Sequence, residues 1–107
     1  MTKLRQKMKR QDEIEINQFQ LGILLDKGQK NFYDTIISAN VFCSHCRSIS
    51  EKGVLVEEIY LTHFNDILVK GICKVCNGSV ARIIEFGKDE TFFKKADELR
   101  KSMKKRV

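Results

Sequence analysis

Four cysteines constrain this chain more than any other feature. They fall in two pairs, Cys43-Ser44-His45-Cys46 and Cys73-Lys74-Val75-Cys76, and the sequence holds no others. Two thiols three positions apart can face one ion only where the backbone turns tightly between them. Two such pairs supply four donors, the number a tetrahedral structural zinc site takes. Asn77 and Gly78 follow the second pair, and both residue types tolerate a left-handed backbone. The amides beyond the cysteines can then donate to the thiolates. Arg47 and Ser48 follow the first pair and are weaker turn formers. The pairs are separated by 26 residues, more than the roughly 15–20 of a compact four-cysteine site, and the excess fits two strands and a loop. A single iron would suit the same spacing. A thioredoxin-like redox pair needs a βαβ context that this sequence lacks, and two disulfides need an oxidising compartment.

The hydrophobic pattern divides the 107 residues into three segments of one domain. Residues 1–40 read as a helical segment. Helix formers dominate from Lys3 to Lys27, Ile16, Phe19 and Ile23 recur at helical spacing, and Gly28 sits where a helix would end. Ile14, Ile16, Phe19, Leu21 and Ile23 also fit an alternating pattern in part. Residues 35–42 are expected to form a strand leading into Cys43. Residues 41–87 read as β: Val54 to Leu61, Ile67 to Ile72 and Val80 to Phe86 are rich in β-branched and aromatic residues, and the last two runs flank Cys73 to Gly78 as a hairpin. Residues 88–107 carry the clearest helix, 89–106. Asp89 and Glu90 suit its start, basic residues its end, and Phe92, Phe93, Ala96, Leu99 and Met103 form one apolar stripe. The expected class is therefore α+β, a small antiparallel sheet flanked by an N-terminal and a C-terminal helix. Phe32, Tyr33, Phe42 and Tyr60 are expected to fill its core. A chain of this length buries only about 60–65% of its unfolded surface, so a metal would strengthen a marginal core.

Residues 41–87 resemble the zinc-ribbon class, in which two cysteine knuckles clamp a β-hairpin. The resemblance covers less than half of the chain. It implies one Zn²⁺ per chain, held by Cys43, Cys46, Cys73 and Cys76, and often a role in binding nucleic acid. Four cysteines close such a site, and zinc that does chemistry keeps a position open. No serine–histidine–acid order, phosphate-binding glycine loop or converging carboxylate pair stands out, so the expectation is a binding module and not an enzyme. His45, inside the first knuckle, reads as a solvent-facing residue, and His63, beside Phe64, as a surface histidine.

Charge locates the candidate partner surfaces. The net charge is +6, yet residues 41–87 carry five bases and five acids, whereas residues 88–107 carry eight bases and four acids. Four thiolates and one Zn²⁺ would take the neutral ribbon to −2. A nucleic acid would meet His45, Arg47 and Lys74 on the knuckles, Arg82 on the hairpin, and Arg100, Lys101, Lys104, Lys105 and Arg106 on the last helix. The competing expectation is a protein partner, or a second copy of the chain, on a scaffold that zinc merely stabilises. No apolar run has the length of a membrane span, and acids rather than an apolar core follow the basic N-terminus, so no membrane association is expected. With no secretory signal, the expected location is cytoplasmic, where thiols stay reduced.

Overall fold

The computed structural model describes residues 13–86 and 89–105. Among these residues the fold is α+β, with three helices, a four-stranded antiparallel sheet and a separate two-stranded one. The chain enters through β1 (Ile14–Ile16), then forms α1 (Gln18–Leu24) and α2 (Lys27–Ala39). Two short strands, β2 (Phe42–Cys43) and β3 (Ser48–Ile49), make the small sheet. The long strands β4 (Val54–Leu61), β5 (Ile67–Cys73) and β6 (Ser79–Ile84) come next, and α3 (Glu90–Lys105) closes the described chain.

The expected helix over residues 3–27 is not what forms, and its first part, residues 3–12, lies outside the described residues. Ile14 and Ile16 pair with Leu61 and Ile59 at the edge of the sheet, so alternation wins there over helical spacing. Two capping boxes then divide the chain beyond β1. Asn17 accepts from the Gln20 amide while the Gln20 side chain accepts from the Asn17 amide, and Asp26 and Gln29 repeat the arrangement. Each box starts a new helix. Gly28 consequently lies in the first turn of α2 rather than at a helix end. The expected strand over 35–42 is also replaced: residues up to Ala39 are helical, and only Phe42 and Cys43 are extended. A helix started by a strong cap at Asp26 carries through the β-branched residues Thr35, Ile36 and Ile37, because Tyr33 and Ile36 bury the same face.

The large sheet has the order β1-β4-β5-β6. Its register runs from Val54↔Cys73 to Leu61↔Ile67 and from Ile67↔Ile84 to Ile72↔Ser79, with a bulge between Val56 and Glu58. The expected hairpin with the second cysteine pair at its tip is therefore present, although β6 ends at Ile84, short of Phe86. Side chains alternate across a sheet. One face carries Ile16, Ile59, Leu61, Ile67, Val69 and Ile84 into the core. There they meet Leu21, Leu24 and Leu25, Tyr33 and Ile36, and Phe92 and Ala96 of α3. The opposite face carries the cross-strand rows Glu15–Tyr60–Leu68–Ile83, Glu58–Lys70–Ala81 and Leu55–Ile72–Ser79.

Of the four aromatic residues expected in the core, one is there. Tyr33 is buried and Phe32 and Phe42 are exposed. Tyr60 lies half-buried on the outer face, where its hydroxyl donates to Glu58 and Lys70 sits 5.1 Å above its ring. Phe32 instead meets Phe86 edge-on, and Phe86 meets the buried Phe92.

Candidate metal centre

Both cysteine pairs sit on turns that the hairpins create. Cys43 ends β2 and Cys46 lies in the turn to β3, while Cys73 ends β5 and Cys76 lies in the turn to β6. The two turns have the same backbone design. The Arg47 amide donates to the Cys43 carbonyl and the Asn77 amide to the Cys73 carbonyl, each at 2.8 Å. Arg47 and Asn77 adopt positive φ, 59° and 64°. The left-handed residue anticipated at Asn77 is thus present. The first knuckle reaches the same shape with an arginine, which the sequence did not advertise.

The hairpins meet with all four sulfurs within 4.8 Å of one another. Cys43 and Cys76 sulfurs are 3.5 Å apart, Cys46 and Cys73 sulfurs 3.9 Å. Four sulfurs placed about 2.3 Å from a central ion form a tetrahedron with edges of about 3.8 Å. The cluster therefore fits one metal ion of that kind. All four thiols are free of disulfides, and Cys43 and Cys73 are buried whereas Cys76 is exposed.

Hydrogen bonding distinguishes the sulfurs. The Val75 amide donates to Cys73 Sγ and the Gly78 amide to Cys76 Sγ, each at 3.4 Å. Ser50 Oγ, which no sequence pattern singled out, lies 3.0 Å from Cys73 Sγ. The Ser50 hydroxyl, with the Cys76 and Val75 amides behind it, draws the Cys73 thiol down to about 6. Cys46 is pushed up to about 12, by hydrogen bonding to the Cys76 sulfur first and by burial next.

The scaffold holds the two turns together from behind. The Ser50 amide donates to the Val41 carbonyl and the Lys74 amide to the Gly53 carbonyl. Gly53 has φ 83°, and a Cβ there would lie 3.1 Å from the Ile37 carbonyl at the end of α2. At the front, the His45 ring covers Gly78 so closely that a Cβ on Gly78 would come within 2.2 Å of it.

The basic residues expected to meet a nucleic acid occupy different settings among the described residues. His45, Arg47 and Lys74 are exposed on the knuckles, and Lys101 is exposed on α3. Arg82 is half-buried on the inner face of β6, opposite Val69, and its Nε has no hydrogen-bond partner among the described residues. Arg100 is part of the fold: it donates to the Thr62 carbonyl and to Asn65 Oδ1, fastening α3 to the β4–β5 turn. Lys104 and Lys105 belong to the last turn of α3, and Arg106 lies outside the described residues. His63 meets Phe64 edge-on at 4.7 Å.

Comparison with protein-family models, with curated proteins and with solved structures finds no match. The fold and the site define the class by themselves: a small α+β protein carrying a four-cysteine cluster that can hold a metal. None of its described helices is long and apolar enough to cross a membrane.

Proposed function

We propose that this chain is a zinc-ribbon-type binding module in which one structural Zn²⁺, held by Cys43, Cys46, Cys73 and Cys76, fixes the two knuckles for a macromolecular partner. The observation that carries this reading is the convergence of the four sulfurs at spacings suited to a tetrahedral ion. Four thiolates occupy every position such an ion offers, leaving none for a substrate or an activated water. The reading is therefore non-enzymatic, and it places the chain where thiols stay reduced, as in the cytoplasm.

The partner that the surface favours is a protein. The outer face of the large sheet bears Leu55 and Ile83, each 52% exposed, with Leu68, Ile72 and Tyr60 between them. Glu15, Glu57 and Glu58 edge this face, and Lys70 is the base among them. Such a surface suits an apolar patch bordered by lysine or arginine and repels phosphate. Nucleic acid is the second reading. It is favoured by the exposed His45, Arg47 and Lys74 on the knuckles and Lys101 on α3.

Metal analysis under reducing conditions should give one zinc per chain. A folded, metal-free protein there would refute the zinc reading. Retention on an immobilised polyanion that survives physiological salt, with steep salt dependence, would favour nucleic acid over protein. Loss of binding to captured proteins on Leu55→Glu and Ile83→Glu, with zinc content unchanged, is the result expected of the sheet-face reading.

A further inference from the structure

Ser50 is 1% exposed and lies beside the cysteine cluster, against Cys73. Its Oγ lies 2.8 Å from the Gly53 carbonyl oxygen and 3.0 Å from Cys73 Sγ. A hydroxyl has one proton and two lone pairs. Its one proton can serve only one of the two acceptors, the Gly53 carbonyl or the Cys73 sulfur. A cysteine bound to a metal has lost its proton. If the hydroxyl then stayed on Gly53, its lone pairs would face those of a buried thiolate.

The surroundings permit the alternative. The Gly53 carbonyl also accepts the Lys74 amide at 3.0 Å, so a hydroxyl that turns away leaves that acceptor satisfied. The rotation needs no movement of heavy atoms, and it converts a neutral hydrogen bond into a charge-assisted one. We infer that Ser50 is a positioning residue of the metal site, whose hydroxyl donates to the Cys73 sulfur rather than to the Gly53 carbonyl while the cluster holds its ion, and so raises the affinity of the site. The inference rests on the zinc reading. It assigns the site a second layer that the four cysteines alone do not reveal.

Ser50→Ala isolates this hydroxyl, because the turn is otherwise held by backbone bonds, from the Ser50 amide to Val41 and from the Gly53 amide to the Ser50 carbonyl. Zinc and cobalt are titrated into wild type and Ser50→Ala of the full chain against a competing chelator. Wild type should bind one ion, and Ser50→Ala should also bind one but about 10- to 100-fold more weakly. The sulfur-to-cobalt charge-transfer band should move to lower energy in Ser50→Ala, since an unbonded thiolate gives up charge more easily. Ser50→Thr, which keeps the hydroxyl, should restore the band. Wild-type affinity and band position in Ser50→Ala would overturn the inference, even if both its metal-free and loaded forms melted lower. A wild type that binds no ion would overturn the zinc reading as well. Should Ser50→Ala not fold, cadmium-loaded wild type decides: a hydroxyl proton with scalar coupling to cadmium supports the inference, and its absence overturns it.

Discussion

At the scale of single residues, backbone geometry around glycine sets the tightest limits. Gly71 lies opposite the β4 bulge, where a Cβ would come within 2.1 Å of the Leu55 carbonyl oxygen. Backbone in a central strand pair cannot give way, so Gly71→Ala should cost about 3 kcal/mol or more in chemical denaturation. Gly78 has a clash of similar depth with the His45 ring, yet the outcome should differ. His45 is an exposed side chain and can swing aside. Gly78→Ala should therefore be tolerated far better than Gly71→Ala, and His45→Ala should remove most of its cost. Equal penalties at the two glycines, or no rescue by His45→Ala, would contradict this account. The four cysteines were legible at once because two Cys-x-x-Cys pairs supply the four donors of one metal site. Arg47 and Ser50 were not. An arginine in the left-handed region is set by the knuckle around it, and a buried serine in a turn looks like any turn serine until the opposite strand brings Cys73 to it.

At the scale of elements, start signals matter more than composition. Asn17-x-x-Gln20 and Asp26-x-x-Gln29 are capping patterns written openly in the sequence, and reading them splits the N-terminal segment correctly. Apolar spacing alone could not, because the strand and both helices all send side chains into the same core. The second box does more than start α2. The Gln29 side-chain amide also donates to Asp89 Oδ2 at 2.8 Å, while Asp89 Oδ1 accepts from the Thr91 and Phe92 amides at the start of α3. Gln29 thus joins the N-termini of two helices, whereas Gln20 closes only its own box. Urea unfolding should show Gln20→Ala costing about 0.5–1 kcal/mol and Gln29→Ala about 1–2 kcal/mol. Much of that excess should vanish in an Asp89→Ala background. An equal cost for the two glutamines would remove the link. The strands were legible because β-branched runs coincide with alternation. The link between Gln29 and Asp89 was not, since 60 residues separate them.

For the whole molecule, the question is how far an ion held by the four cysteines would reach into the fold. The hydrophobic cluster gathers residues from β1, β4, β5, β6 and all three helices, and none of the four cysteines belongs to it. The small sheet has only two residues in each strand, too little to stand alone. It is held by backbone bonds from Ser50 and Lys74 and by the sulfur cluster. A structural zinc contributes about 10–16 kcal/mol in small sites, comparable with the entire stability of a domain this size. Removing the proposed zinc should consequently release the two knuckles and β2–β3 first, leaving the β4–β5–β6 sheet and α3 folded but weakened. Hydrogen exchange on chelator-treated, reduced protein is the measurement. The Arg47, Val75, Asn77 and Gly78 amides should lose protection, while the Ile59 and Val69 amides in the sheet keep most of theirs. Acid should act in the same order. Protons compete with the metal for four thiolates, so binding weakens as pH falls, and the knuckles should open before the sheet. Simultaneous loss of protection in knuckles and sheet would mean that the ion holds the entire fold, and that the core beneath the helices cannot persist without it.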